Sequence, residues 1–542
     1  MHMTRQKNAV ERRIDVLCEQ WLRATEAPDV RAVIWRVPDN ADRMMAAFFE
    51  AQAHPELAGT PDFFLRLSTP FETGFGYSRA LKEDLRRRYL DSRDNMAEEG
   101  VAQDWLDAYR QQPDTAAGTL AQWASFATHH RERMRYFAAV LSPEQVASPA
   151  AFERWLDAAL ATPAPANVRL VLVDYASTRQ WQPLVERHGS SVTVIDAPVD
   201  MFDIARDIAA QSGGAGPQTA FRQMLADVMT LLDKGSASQV VARGERAIAL
   251  AQRADWPDQQ VVVHMAVAGA YMKEQQFPEA IARYRTARER ALDAERASHP
   301  AGLQLVMQTW FGEAGVWLVA GQPERAAAAY AEGAEVARRM PNAMFVIEGL
   351  RMAGFCLAQA GRREPARDYG LQALAAARDV PASDRPMTTL PLLLQDLLRL
   401  QDAPRTEKIE RAAEQYRVAV ESARDAAEMR AARLGADPTC LELERIEAEL
   451  QGRYETAFAN AARERERQIA GGDAFFRRVV AVGRDFLHPR WSGLPDIRHP
   501  LDKAIVEWSE PPQFAVLPDP EPLFTPESAT VARAPAAEET VA

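Results

Sequence analysis

A pattern of large, small and turn residues recurs four times between residues 221 and 379, and it constrains the fold of this chain more than any other feature. In each copy, a smaller residue follows a large one by four positions, and a second large residue comes three positions later. That spacing places all three residues on one face of a helix. Glycine occupies the following turn at Gly235, Gly321 and Gly361. Each copy therefore predicts a helical hairpin, and because one hairpin cannot bury its own apolar face, the hairpins should stack into a solenoid.

A small or aliphatic residue opens the second helix of each hairpin, at Val240, Ala280, Ala326 and Ala366. These copies resemble the tetratricopeptide repeat, at 221–254, 261–294, 307–340 and 347–379. The intervals of 40, 46 and 40 residues exceed the 34 residues usual for that repeat, so longer helices or linkers are expected. The resemblance implies an all-α, TPR-like solenoid over 220–400 that binds a protein or peptide on its concave face.

The concave face of such a solenoid is formed by the first helix of each hairpin. Beside the packing positions of these helices the sequence offers methionine, aromatic, arginine and glutamine side chains, which suit adaptable peptide binding and carboxylate recognition. The residues predicted to bind a partner are Arg222, Met229, Met265, Met272, Gln308, Phe311, Arg351, Phe355 and Gln359. The alternative for each of them is a place in the core between helices. Few lysines and asparagines lie there, which disfavours a clamp for an acidic chain terminus.

The first 215 residues have a different pattern, in which short apolar runs alternate with helical segments. Strands are predicted near Val30–Val37, Phe63–Leu67, Tyr136–Leu141, Val168–Asp174 and Ser191–Asp196. Helices are predicted between them, including 76–92, 100–111 and 117–134. Strands that alternate with helices imply crossover connections and a mainly parallel sheet. Residues 1–215 are therefore expected to form an α/β domain.

The order of elements in this α/β domain loosely resembles the core of P-loop NTPases, above all the regulatory kind that carry helical repeats. The phosphate loop of that family needs a glycine-rich turn and a lysine, but the first strand is followed by Pro38-Asp39-Asn40-Ala41-Asp42-Arg43. Ser142-Pro143 follows the strand where a metal-binding aspartate would be expected. The resemblance therefore implies a degenerate core without Walker motifs. The alternative is a plain structural or partner-binding α/β domain.

Residues 404–508 are expected to form a long helix over 406–434, a helical hairpin that turns at Gly452, and a C-terminal extension. Small and aliphatic residues at spacings of three and four make a narrow seam on the long helix. We expect this seam to pack within the chain, and the alternative is a homodimer contact through 406–470. Residues 509–542 are rich in proline and carry six acidic residues against Arg533, which predicts a disordered tail. Its apolar residues could also dock it in a groove.

Net charge, apolar runs and the placing of cysteines and histidines exclude several classes of function for this chain. A net charge of −12 argues against nucleic-acid binding, and no apolar run approaches the roughly 20 residues that a membrane span needs. Three isolated cysteines indicate neither a zinc site nor a disulfide framework. His129 and His130 are adjacent, whereas two metal ligands on a helix need a spacing of four. No nucleophile, base and orienting group can be assembled, and no cofactor, metal or catalytic residue is predicted.

These observations predict a cytoplasmic, non-enzymatic scaffold or adaptor that binds a protein or peptide on its repeats. Composition and repeat style suggest a bacterial chain, in a secretion, effector-loading or signalling assembly. Two alternatives belong to other classes of protein. One is a nucleotide-gated regulator whose α/β domain binds ATP or GTP without a standard P-loop, and the other is a structural homo-oligomer.

Overall fold

A computed structural model describes residues 7–483, apart from 55–56, 99, 102, 106–111, 164–165, 212–215, 382, 386–387 and 436. The described chain divides into two compact units. The first unit comprises Met1–Gly213 with Arg417–Phe458, and the second comprises Gly214–Tyr416 with the chain from Ala459 onward. Within the described residues, no helix is both long enough and apolar enough to cross a membrane.

The first unit contains a five-stranded sheet in which every pairing is parallel. Its strands are β1 (Ala32–Val37), β2 (Phe63–Leu67), β3 (Phe137–Leu141), β4 (Val168–Tyr175) and β5 (Val192–Asp196). They lie in the order β2-β3-β4-β1-β5. Ala32 pairs with Leu170 on one side and with Val192 on the other. The parallel α/β domain expected from the sequence is confirmed.

Helices cover both faces of the sheet, which is why its strands are almost continuously apolar. The helices are α1 (Ala9–Ala24), α2 (Asp42–Ala53), α3 (Gly74–Asp91), α4 (Arg93–Glu98), α5 (Ala116–His129), α6 (Pro149–Ala161), α7 (Gln182–His188) and α8 (Met201–Gln211). Alternate strand residues face opposite ways. Ile34 and Leu172 join a core with α3, α5, α6 and α7, whereas Trp35 and Val171 join a core with α1, α2 and α8.

The predicted helix over 100–111 is wrong in its described part. Helix α4 ends at Glu98, Gly100 has a left-handed φ of 67°, and residues 101 and 103–105 are not helical. Trp105 instead packs edge-on against Tyr89 at a ring distance of 5.0 Å, and its backbone N–H donates to the Tyr89 hydroxyl. A left-handed glycine follows the end of the helix, and the burial of the indole ring fixes the position of Trp105 outside any helix.

The second unit is a solenoid-like array of consecutive antiparallel helices. Its helices are α9 (Pro217–Lys234), α10 (Ala237–Arg253), α11 (Pro257–Lys273), α12 (Phe277–Arg296), α13 (Gly302–Val319), α14 (Pro323–Ala337), α15 (Ala343–Gln359) and α16 (Arg363–Ala376). They form four hairpins at the positions of the four sequence copies. Gly321 and Gly361 adopt left-handed φ values of 70° and 75° in their turns, a conformation that glycine reaches without a steric cost.

In the part of the chain that the structure describes, three helices follow the array: α17 (Leu390–Arg433), α18 (Cys440–Ala470) and α19 (Ala474–Val482). Helix α17 bends at Asp402, whose φ and ψ of −145° and 80° are not helical, and it ends before the left-handed Gly435. The turn predicted at Gly452 is wrong, because Gly452 lies inside α18. The predicted disordered tail over 509–542 lies outside the described residues.

Candidate functional site

Three of the predicted partner-binding residues come together in one groove of the second unit. Arg351, Phe355 and Gln359 occupy successive turns of α15 and line a cavity of about 440 Å³. Helices α16 and the first part of α17 form the other walls of this cavity, which we call the α15–α17 groove. Its volume falls in the range of small-ligand and side-chain pockets.

Small residues create the space in the α15–α17 groove. Gly354, Ala366 and Gly370 bring the helices so close that a Cβ atom on Gly370 would lie 2.7 Å from Leu397 Cδ2. Leu393 and Leu397 form a buried floor, each 2% exposed, and Phe355 stands half-buried beside them. The surface at the base of the groove is therefore apolar.

Charged side chains surround this apolar floor and are held in place by hydrogen bonds. Arg351 Nη1 donates to Asp396 Oδ2 at 3.2 Å, and Arg351 Nε donates to Glu348 Oε2 at 3.0 Å. Arg363 Nη2 donates to the Leu400 carbonyl at 2.6 Å. Burial raises the pKa of the Asp396 carboxyl group, while the Arg351 guanidinium opposes that shift.

At the outer edge of the groove, Arg399 pairs with Glu410, with 2.7 Å between Nη2 and Oε1. The charged residues lining the cavity are three arginines and one aspartate, so the lining residues carry a net positive charge, although Glu348 and Glu410 beside the cavity pair with two of the arginines. Both Arg363 and Arg399 are exposed. They are the cations that an anionic group entering the groove would meet first.

The other six predicted residues are distributed along the array and do not join this groove. Arg222 is exposed and lines a separate cavity of about 250 Å³ with Phe221 and Trp256. Met265 packs against a buried cluster between α11, α12 and α13, and Met272 on α11 is 36% exposed. Met229 and Gln308 are half-buried on α9 and α13.

Phe311 belongs to the packing between hairpins. A Cβ atom on Gly333 would lie 2.5 Å from the Phe311 ring, and one on Gly349 would lie 3.1 Å from it. The ring also lies 5.7 Å from the ring of Tyr330. Two glycines on neighbouring helices thus make room for this side chain, which joins α13 to α14 and α15.

Sequence reasoning missed Arg363, Asp396 and Arg399, because it considered only the first helices of the four recognised hairpins. The sequence does contain a signal for the wall of the groove that α17 forms. Leu390, Leu393, Leu394 and Leu397 follow the i, i+3, i+4, i+7 spacing of an apolar helix face. All four are buried, so this segment acts as the first helix of a further layer.

The carboxyl ends of the strands form the second place where a ligand could be expected, since open parallel sheets bind ligands there. Asp39 and Asp42 follow β1, and they accept hydrogen bonds from Ser177 Oγ at 2.5 Å and Tyr175 Oη at 2.6 Å. The hydrogen bond to Asp42, together with burial, raises the pKa of Tyr175 to about 12. Asp174 accepts from the Gln180 backbone N–H at 2.8 Å and so closes a turn.

This sheet edge is acidic: Asp39, Asp42 and Asp174 each accept a hydrogen bond from a neighbouring hydroxyl or amide group, and Asp174 Oδ2 is buried without a hydrogen-bond partner. Helix α2 begins there with Ala41 as its N-cap residue, which makes no side-chain cap, and with Asp42 in its first turn. A carboxylate already occupies the position where a helix N-terminus could attract phosphate. Among the described residues, no group of three or more histidine, cysteine or acidic side chains is arranged to hold a metal.

Comparisons with known proteins add no family to these observations. No protein-family model matches the chain, and a search of curated proteins finds no significant match.

Proposed function

We propose that this protein is a non-enzymatic scaffold or adaptor that binds a protein or peptide segment in the α15–α17 groove. The observation that carries the proposal is the combination of an apolar floor, formed by Leu393 and Leu397, with the exposed cations Arg363 and Arg399 at the rim. Apolar anchors supply most of the affinity of a peptide contact. Arginine adds recognition of carboxylates.

The partner chemistry follows from this arrangement. We expect a segment with one or two large apolar side chains followed or preceded by aspartate or glutamate. The apolar groups would bury against Phe355, Leu397 and Leu400, and the carboxylates would face Arg363 and Arg399. A neutral or basic segment would make no ion pair with Arg363 or Arg399 and would bind more weakly.

The family assignment is part of the proposal. Four helical hairpins at the four sequence copies support a tetratricopeptide-like array, and the parallel order β5-β1-β4-β3-β2 is compatible with a degenerate P-loop core. We propose that the α/β unit acts as a second binding or regulatory module, and that the protein works in the cytoplasm of a bacterium, in secretion, effector loading or signalling.

The test is a selection of displayed random peptides on the full chain, followed by affinity measurements with the enriched sequences. We expect an enriched motif that combines an apolar anchor with acidic residues. The double substitution Arg363→Glu and Arg399→Glu should weaken binding at least tenfold, because it reverses the charge at the rim. Both residues are exposed, so the array should still fold.

A matched control reverses two exposed arginines of α10, with Arg246→Glu and Arg253→Glu. This control introduces the same change of net charge into the same unit, away from the groove, and should leave the affinity unchanged. The proposal is wrong if no peptide is enriched on either the wild-type chain or a chain that carries Asp519→Lys and Glu521→Lys in its acidic tail. It is also wrong if the groove variant and the control variant bind the enriched peptides equally well.

A further inference from the structure

The described chain ends next to the α15–α17 groove. Helix α19 packs its Phe475 and Phe476 into the apolar cluster that also contains Leu393 and Leu397 of the groove floor. The guanidinium of Arg367 on α16 lies 4.1 Å from the centre of the Phe475 ring. The helices that α19 contacts therefore include the helices that form the groove.

The sequence beyond Gly483 contains the partner chemistry described above. Residues 510–524 read Glu-Pro-Pro-Gln-Phe-Ala-Val-Leu-Pro-Asp-Pro-Glu-Pro-Leu-Phe. Large apolar residues stand at Phe514, Leu517, Leu523 and Phe524, and acidic residues stand at Glu510, Asp519 and Glu521. Five prolines restrict the backbone of this segment, which reduces the conformational entropy lost when such a segment binds.

Charge and length both allow this segment to reach the groove. Residues 509–542 carry six acidic side chains and one basic side chain, opposite in sign to the net positive lining of the groove. Phe514 follows Gly483 by 31 positions. A chain of that length spans roughly 30 Å on average as a flexible coil and up to roughly 100 Å when extended.

We propose that residues 510–524 occupy the α15–α17 groove of their own chain and so compete with the external partner. This inference rests on the proposed function, since it gives that same groove an internal occupant. A tethered segment has an effective concentration near the millimolar range. An external peptide must therefore bind with higher affinity, or a modification must release the segment, before the groove becomes available.

The experiment places the photo-crosslinking residue p-benzoylphenylalanine at position 514 of the full chain and maps the products by mass spectrometry. We expect most crosslinks to fall on peptides from residues 351–400. A probe at position 531, beyond the proposed segment, should yield at least fivefold fewer crosslinks to these peptides. Mixing isotopically heavy and light chains distinguishes crosslinks within one chain, which we expect, from crosslinks between copies.

Charge reversal tests whether the contact depends on the proposed pairs. Arg363→Glu with Arg399→Glu should reduce the crosslinks at least fivefold, whereas the control Arg246→Glu with Arg253→Glu should not change them. Asp519→Lys with Glu521→Lys changes only the tail segment, so it cannot unfold the groove, and it should reduce the crosslinks equally. Combining the groove and tail reversals should restore them, because opposite charges again face each other.

The proposal is overturned if the crosslinks join heavy to light chains, fall mainly outside 351–400, or stay unchanged in either charge-reversed variant. The failure of the proposed function gives a different result. If the groove binds no external peptide even in the Asp519→Lys and Glu521→Lys chain, the scaffold proposal fails. Suppose instead that the Asp519→Lys and Glu521→Lys chain and the wild type bind external peptide with equal affinity, and that the probe at position 514 does not crosslink to residues 351–400. Then only the proposal of an internal occupant is wrong.

Discussion

Phe311 and Arg351 are both predicted from the sequence to bind a partner, but in the structure both contribute to packing within the chain. The Phe311 ring fills the space left by Gly333 and Gly349. The Arg351 side chain is only 11% exposed and is paired with Glu348 and Asp396. Replacing either residue by glutamate would test stability more than partner binding. Arg363 and Arg399 are better probes, because they are exposed and border the same groove.

Burial also determines how one histidine titrates. His264 on α11 is 5% exposed, and its Nδ1 is buried without a hydrogen-bond partner. Burial, with a contribution from the nearby Arg283, lowers its pKa to about 4. The unfolded chain has a histidine pKa near 6.5, so between these values the unfolded state binds the proton and the folded state does not.

His264 should therefore make the second unit less stable in acid. As the pH falls from about 6.5 to about 4, the proton uptake of this one group should remove about 3 kcal/mol from the free energy of unfolding. The measurement is urea denaturation at several pH values for the wild type and for His264→Met. The substituted chain should lose less stability over this interval, and identical pH profiles would contradict the prediction.

Helix α17 illustrates how local chemistry places a bend in a long helix. At the bend, Asp402 Oδ1 accepts from the Arg405 backbone N–H at 3.1 Å, which is the geometry of an N-cap. Pro404 follows at the second position of the new turn, where a missing N–H costs nothing. The sequence predicts that a helix begins at Thr406, which is close to the point where the helix resumes after the bend. The chain is already helical from Leu390.

Helix α3 is linked to the segment Arg417–Phe458 within the first unit. The Glu428 carboxylate accepts from the Gly74 backbone N–H at the start of α3. Arg79 Nη1 donates to Glu447 Oε2 at 2.9 Å. Phe75 is 5% exposed and lies in a cluster with Ala427, Leu443 and Ile446. A helix N-terminus, an ion pair and an aromatic anchor thus hold this segment.

Phe75→Ala should release the segment Arg417–Phe458 from the α/β unit. Removing a buried phenylalanine costs about 3–5 kcal/mol, and Phe75 is the aromatic anchor of this contact. Hydrogen exchange of 417–458 should then rise, while exchange in β1 and β4 stays slow because their core does not include Phe75. Leu441→Ala serves as the control, since Leu441 is 57% exposed. Unchanged exchange in 417–458 would contradict this assignment.

At the level of the whole chain, the compact units do not follow the order of the sequence. Residues 417–458 cluster with Met1–Gly213, although more than two hundred residues of the helical array intervene. Helix α17 contributes its beginning to one unit and its end to the other. Its seam is accordingly used within the chain: Ile409 is buried in the second unit and Ala423 and Ala427 in the first. A homodimer through 406–470 remains a prediction.

Nucleotide binding provides a test that separates the scaffold from the nucleotide-gated alternative. A nucleotide at 100 times its dissociation constant would stabilise the folded chain by about 2.7 kcal/mol. We expect no shift of the thermal midpoint with millimolar Mg-ATP or Mg-GTP, because Asp39 and Asp42 make the loop after β1 acidic. A reproducible upward shift would favour the nucleotide-gated regulator. The same measurement on Asp42→Asn, which removes one of these negative charges, tests whether charge alone prevents nucleotide binding.

The hairpins and strands were predictable because their signals are local. Residues three, four and seven positions apart share a helix face whatever the rest of the chain does, and the spacing of the four copies located the helices α9–α16. Apolar runs bounded by turn residues located β1 to β5 in the same way. Among the nine predicted binding residues, the structure brings Arg351, Phe355 and Gln359 together in one groove.

Contacts between residues far apart in sequence determined features of the structure that the hydrophobic periodicity does not contain. The sequence shows that Phe311 is a large residue beside a helix face, but only the packed array shows that two glycines from neighbouring helices enclose its ring. Periodicity did not reveal that α18 runs through Gly452, or that residues 417–458 pack against α3. The physical reason is that local spacing determines which side of an element is apolar. Which partner covers that side depends on the shape and free energy of the complete packing.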